Sequence, residues 1–142
     1  MKVQRYRFLK HTADAKFQAF GNTLEEAFSN AALATASLMW EWASIKKKVK
    51  RTIEIQGKDI KQLLVVFLEE ILFLWDVQRF VLGGVKDLVI LQNKNAYTLN
   101  AVFTGDINKG EYVTFGDVKA VTYNEMEIRE VNGFQVQVVV DI

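Results

Sequence analysis

Two aspartates, one lysine and one histidine are the residues from which chemistry could be built in this chain. Asp14 closes the turn-like run His11-Thr12-Ala13-Asp14, and Asp141 ends the apolar run Val136-Gln137-Val138-Val139-Val140. A strand that stops one residue after an Asp sets that side chain beside the α-carboxylate of Ile142. Two anionic groups a few ångströms apart repel each other unless a cation answers them. If the first turn lies at the same sheet end, Asp14 adds a third carboxylate, and clustered oxygens of this kind suit a hard cation such as Ca²⁺ or Mg²⁺. On the residues alone, capping and solvated chain ends remain the simpler account of both acids. Lys119, in the alternating run Val118-Lys119-Ala120-Val121-Thr122-Tyr123, has the same two readings. A lysine on such a strand ordinarily points to solvent, and otherwise its cation reaches the carboxylates or a partner's active site. His11, alone beside a turn, is expected to fix that turn by a hydrogen bond rather than to bind metal.

Composition removes several other chemistries. There is no cysteine, so disulfides, thiol nucleophiles, Cys-based zinc sites and iron–sulfur clusters are excluded. A single histidine is too few for the two or three imidazoles of a usual catalytic zinc site. Eighteen Lys and Arg against seventeen Asp and Glu leave a net charge of +1, so any electrostatic recognition has to come from a local patch. The opening Met1-Lys2-Val3-Gln4-Arg5-Tyr6 has no apolar run or cleavage site of a secretory signal. The most apolar stretch, 63–75, is interrupted by Glu69 and Glu70 and is too short to span a bilayer. A cytoplasmic protein without membrane association is expected.

The elements that must position these residues follow from periodicity. Residues 5–9 and 16–20 read as short strands. Thr23-Leu24-Glu25-Glu26 is a capping box, with the Thr23 hydroxyl accepting from the Glu26 amide and Glu26 reaching back to the Thr23 amide. Leu24, Ala27, Phe28, Ala31, Thr35 and Leu38 then recur at helical spacing to about residue 40. Residues 50–56 alternate as a strand, and Asp59 caps a second helix carrying an apolar stripe from Ile60 to Trp75. That stripe extends nearly all round, so the helix is central to the fold or partly covered by a partner. After Gly83-Gly84 the period becomes two, giving strands at 86–92, 96–104, 118–128 and 135–141. Asn93-Lys94-Asn95, 106–110 and Asn132-Gly133 supply turns between them. The total is an α+β fold: a two-layer sandwich with a mixed, largely antiparallel sheet of about six strands and two helices on one face. With no proline, repeat or low-complexity stretch, residues 1–142 read as one domain.

His11-Thr12-Ala13-Asp14 followed by Gly21-Asn22-Thr23-Leu24-Glu25-Glu26-Ala27-Phe28 resembles the N-terminal signature of the archease family. Val118-Lys119-Ala120-Val121-Thr122-Tyr123-Asn124-Glu125-Met126-Glu127 is similar to its central signature, and Val138-Val139-Val140-Asp141-Ile142 to its C-terminus. The resemblance covers essentially the whole chain in order. It implies a metal-binding protein cofactor of the tRNA-splicing ligase, the enzyme that joins RNA ends bearing a 2′,3′-cyclic phosphate or 3′-phosphate to a 5′-hydroxyl. Archeases speed guanylylation of that ligase by GTP and permit multiple turnovers, and are not themselves the enzyme. The resemblance carries the family's metal site onto Asp14, Asp141 and the main-chain oxygens of Ile142, with Ca²⁺ the favoured ion and Mg²⁺ or Mn²⁺ alternatives. It carries the functional lysine onto Lys119. The family usually has His where this chain has Asn124, which cannot titrate near neutral pH, so that position is read as structural or supporting.

Two other function classes are weighed against the activator. A stand-alone metal-dependent hydrolase on Asp14 and Asp141 would lack a clear general base. A chaperone-like or protein-binding module would rest on the apolar second helix. The basic run Lys46-Lys47-Lys48-Val49-Lys50-Arg51 could meet RNA phosphates or an acidic face of the ligase, although a solvated loop and strand edge is the ordinary reading. Direct RNA contact therefore stays open. Asp106-Ile107-Asn108-Lys109-Gly110 starts like a calcium loop, but Glu111 stands where that loop needs glycine, so a hairpin loop is expected. Trp40, Trp42 and Trp75 are expected to complete the core.

Overall fold

Both helices start where their caps dictate. In a computed structural model of the chain, which describes residues 4–11 and 13–142, Thr23 Oγ accepts from the Glu26 amide at 3.1 Å. Glu26 Oε1 accepts from the Asn22 amide at 3.4 Å, one residue earlier than the expected Thr23 partner. Asp59 caps the second helix in the same way, its Oδ1 2.8 Å from the Gln62 amide. Thr12 of the first signature, and Met1-Lys2-Val3 at which the absence of a signal was read, lie outside the described residues.

The elements in chain order are β1 (Tyr6–Leu9), β2 (Ala15–Gly21), α1 (Leu24–Ser37), β3 (Val49–Gly57), α2 (Ile60–Gln78), β4 (Phe80–Gln92), β5 (Tyr97–Ile107), β6 (Ala120–Glu130) and β7 (Phe134–Asp141). The α+β class and the two helices are those the sequence indicates. The strands divide into two sheets, ordered β1-β2-β7-β6 and β3-β5-β4, rather than forming one mixed sheet of about six, and every pairing among the described residues is antiparallel. The division follows from β2, which takes the last strand, β7, as its second partner and so draws both ends of the chain into one sheet. β3, β5 and β4 then pair among themselves.

The helices lie against both sheets instead of covering one face of a single sheet. α1 packs on β2 and β7 and also on β4, while α2 packs on β3, β4 and β5 and also on β6. Accordingly α1 is buried on every side from Asn30 to Ala36, as a helix flanked by apolar surfaces must be. Four alanines in that stretch, Ala31, Ala32, Ala34 and Ala36, allow close approach by its neighbours. Phe28 of α1, Phe67 of α2 and Phe103 of β5 continue the core as a chain of rings with centroids 5.9 and 5.6 Å apart. Trp40 is fully buried and donates its indole N–H to the Leu82 carbonyl at 2.9 Å; Trp75 leans on it and Trp42 is half-buried.

Local irregularity explains two boundaries. β4 begins at Phe80 and runs through Gly83-Gly84 with a register shift between Leu82 and Gly84, so the glycines sit within the strand as a bulge rather than ahead of it. The β6–β7 hairpin turns on Asn132 (φ 47°) and Gly133 (φ 108°), a left-handed pair that suits the twist of antiparallel strands. Gly133 is also required by space: a Cβ there would lie 2.6 Å from the Gly21 carbonyl oxygen.

Phe67 is fully buried and touches the rings of two other elements. Phe67→Ala is expected to lower unfolding free energy by about 3–5 kcal/mol, measured by chemical denaturation.

Candidate functional site

The pairing of β2 with β7 brings together the two aspartates that lie 127 positions apart in the chain. The last pair at this end is Ala15 with Val140, and one more step of the same register sets Asp14 opposite Asp141. Directly opposed residues of an antiparallel pair project to the same face. Val136, Val138 and Val140 belong to the core, so Asp141 stands on the opposite, outward face. On the other side of β7, Ala120 pairs with Asp141, and the Lys119 amide donates to the Asp141 carbonyl at 2.8 Å. Lys119 itself is exposed. Asp14, Asp141, Ile142 and Lys119 thus share one end of the four-stranded sheet.

A hydrogen-bonded row crosses the middle of this ladder and leads to Glu125. Arg7 Nε donates to Gln18 Oε1 (2.8 Å), Gln18 Nε2 to Gln137 Oε1 (2.9 Å), and Gln137 Nε2 to the Glu125 carbonyl (2.8 Å). The row crosses β1, β2 and β7 and ends at a break in β6, where register is lost between Thr122 and Glu127 and Glu125 adopts φ 52°. A non-glycine residue in that conformation is strained by about 1–3 kcal/mol unless its surroundings hold it there. Here the carboxylate does so. His11 Nε2 lies 3.0 Å from one Glu125 oxygen and Lys16 Nζ 3.1 Å from the other.

His11 therefore bonds across to β6 instead of only within its own turn, and its Nδ1 lies 4.0 Å from Asp14 Oδ2. The hydrogen bond from His11, then that from Lys16 with its charge, holds the Glu125 carboxyl below the usual glutamate range. Glu125 thus ties His11, the first residue of the turn carrying Asp14, to β6. The sequence reading missed Glu125; its signal was an acid in the central signature beside Asn124, on a strand otherwise alternating. Asn124 is exposed, and its main-chain amide donates to Thr122 Oγ at 3.3 Å.

Among the described residues no three His, Cys, Asp or Glu side chains gather as a ready metal cage. The available donors are the carboxylates of Asp14 and Asp141 and the main-chain oxygens of Ile142, all hard oxygens of the kind Ca²⁺ or Mg²⁺ takes. No Lys, Arg or His lies within 4 Å of the Asp141 carboxylate among the described residues, so its charge is left for another cation. The donor set fits a hard divalent ion with open positions for water or a partner's oxygens. Among the described residues no helix is long and apolar enough to cross a membrane.

An α+β domain with an acidic corner made where its second and last strands meet has known relatives. The sequence profile of the archease protein family matches residues 6–142, and this chain belongs to that family. It is similar to the archease of Pyrobaculum neutrophilum, 40% identical with 99% of this chain and 97% of that protein covered. The archease of Methanosarcina acetivorans is 37% identical over 98% of this chain and 97% of its own length. The solution structure of Methanobacterium thermoautotrophicum protein 1598 superposes with a TM-score of 0.83 at 32% identity, covering 97% of this chain and 99% of that one. Family membership supports, at the level of the family, a protein cofactor role beside a protein partner in RNA processing rather than an enzyme's role.

Glu125 has a lowered folded-state pKa, so the stability it contributes is present above the ordinary glutamate value and is lost as pH falls through the lowered one. In urea melts across acid to neutral pH, the stability gap between the natural chain and Glu125→Gln is expected to be widest near neutrality and to close in acid. A gap independent of pH would mean that the carboxylate charge does not secure the turn.

Proposed function

We propose that this archease is a metal-binding protein cofactor that activates the RNA-splicing ligase joining 3′-phosphate and 2′,3′-cyclic-phosphate RNA ends to 5′-hydroxyl ends. It promotes guanylylation of the ligase and multiple turnover, so tRNA splicing is the process served. The chain acts as one domain over residues 1–142, in the cytoplasm, and carries out no reaction alone. The observation that supports this reading is the β2–β7 register, which aligns Asp14 with Asp141 next to Ile142 and Lys119.

Asp14, Asp141 and the main-chain oxygens of Ile142 would hold the divalent cation, Ca²⁺ in preference to Mg²⁺ or Mn²⁺ because few fixed ligands and a flexible shell suit the larger ion. When bound, the ion supplies positive charge at an exposed edge that a partner can read. Asp14 and Asp141 define that edge, Glu125 and His11 keep Asp14 oriented, and Lys119 presents a second cation beside it. Positive charge offered there favours a ligase conformation that accepts a triphosphate, an electrostatic contribution common in phosphoryl and nucleotidyl transfer. Such a contact is transient and need not be large. Exposed Phe73 and Val77 on α2 add apolar surface of the kind a protein partner covers, which suits an activator and equally the alternative of a general protein-binding module.

With the cognate ligase, GTP and a divalent metal, Asp14→Ala, Asp141→Ala and Lys119→Ala are each expected to lower stimulation of guanylylation by about 10-fold or more, the size of a lost charged contact. Full stimulation by folded variants would overturn the reading, and RNA cleavage by the protein alone would favour a hydrolase. Calorimetry checks the metal separately: Ca²⁺ binding should vanish in Asp141→Asn and weaken when residues are added after Ile142. A tagged chain that binds Ca²⁺ unchanged would remove the terminal carboxylate from the ligand set.

A further inference from the structure

A second charged feature lies away from the acidic corner. β5 is the central strand of the three-stranded sheet, and its Thr104 pairs with Lys50 of β3 on one side and with Gly84 of β4 on the other. Two residues along, Lys86 pairs with Val102. Paired and alternate residues share a face, so Lys50, Lys86, Thr104 and Gly84 all line the same side of this sheet.

The chain between α1 and β3 folds over that side and encloses a cleft of about 310 Å³ walled by Arg5, Trp42, Lys47, Lys50, Lys86 and Thr104, with Gly83-Gly84 as its floor. Four cations therefore face one cavity, and its lining includes no Asp or Glu. Among the described residues none of the four has a carboxylate within 4 Å. The neighbouring Lys86 ammonium, with some desolvation, holds Lys50 below the ordinary lysine range, while Asp87, outside the lining, pulls the other way. Like charges crowded in this manner raise the affinity of the spot for an anion.

The floor is shaped for close approach. A Cβ on Gly84 would come within 2.9 Å of Thr104 Oγ and 3.2 Å of Lys47 Nζ, so the glycine is what lets that ammonium settle over bare backbone beside a hydroxyl. The Arg5 guanidinium lies 5.3 Å from the centre of the Trp42 ring, and the Trp42 indole N–H donates to the Tyr6 hydroxyl at 2.9 Å, fixing the outer wall. Compact lysine charges around a hydroxyl and a glycine backbone suit phosphate, a concentrated anion with several acceptor oxygens. A carboxylate-bearing peptide would use the cations but not the glycine floor.

We propose that this cleft, built by Arg5, Lys47, Lys50, Lys86, Thr104 and Gly84, binds nucleotide phosphates, as a separate site from the acidic corner. The shared chemistry is the phosphate group, whether on an RNA strand or on a free polyphosphate.

The full chain labelled with ¹⁵N is titrated with inorganic triphosphate and, separately, with a short single-stranded RNA, with oligoglutamate as a third arm. No ligase is present, so the outcome is independent of the activator reading. The amides of Lys47, Gly83, Gly84 and Val85 are expected to shift, with affinity falling as salt rises. Lys47→Glu and Lys86→Glu should each weaken binding roughly tenfold or more, while Lys47→Arg and Lys86→Arg retain it. The same spectra report whether each variant is folded, and Lys86→Gln serves if a charge reversal is not. Response to RNA alone assigns the site to strand phosphates, and response to triphosphate alone to free polyphosphate; both support the proposal. No shift of these amides with either, shifts indifferent to charge reversal, or a response to oligoglutamate only would overturn it.

Discussion

The antiparallel ladder between β2 and β7 is the contact on which the remaining structure rests. It runs over seven residue pairs, Ala15 with Val140 to Gly21 with Phe134, and joins segments from the two ends of the chain. Closing so long a loop is entropically unfavourable and is offset by burial of Phe17, Ala19, Val136, Val138 and Val140 against α1 and the other core elements. Once the ladder forms, β1 and β6 have edges to join, α1 has a surface to lie on, and the acidic corner comes into existence as the ladder's end. Fold and candidate site thus depend on the same hydrogen bonds.

Around that ladder the polar groups are arranged as a connected row rather than as isolated pairs. Gln18 and Gln137 are buried polar side chains, and each is satisfied by the other and by a further partner, so neither is left unpaired away from water. The row ends at Glu125, whose left-handed backbone is held by Gln137 at its carbonyl and by His11 and Lys16 at its carboxylate. Three elements distant in sequence are in this way made to agree on the position of one turn.

Much of this was readable beforehand because it is local. The helix caps at Thr23 and Asp59, the Asn132-Gly133 turn and the alternating strands each have a signature confined to a few residues, and all but β4, which starts at Phe80 instead of 86, stand within a few positions of where they were expected. The acidic corner was legible only as a condition, that Asp14 and Asp141 share a sheet end, and the register meets it. The division into two sheets was not legible. An alternating strand such as β2 or β5 states which face is apolar, yet says nothing about which strand it will pair with. Gly83-Gly84 misled for a related reason, since a glycine pair marks a turn and a bulge with the same letters. Glu125 escaped because its residue type marks an acid in the central signature but not its left-handed backbone.

The interruption of β6 at Glu125 has a consequence at the molecule's rim. β6 and β4 are the longer outer strands of their sheets, and each is broken by register shifts with an acidic residue at positive φ, Glu125 (52°) in one and Asp87 (55°) in the other. An unbroken flat border would offer a row of free amides and carbonyls to any stray strand. Kinked and negatively charged at these points, neither border is a continuous template, so the same irregularity that steadies a turn also discourages the chain from stacking into aggregates.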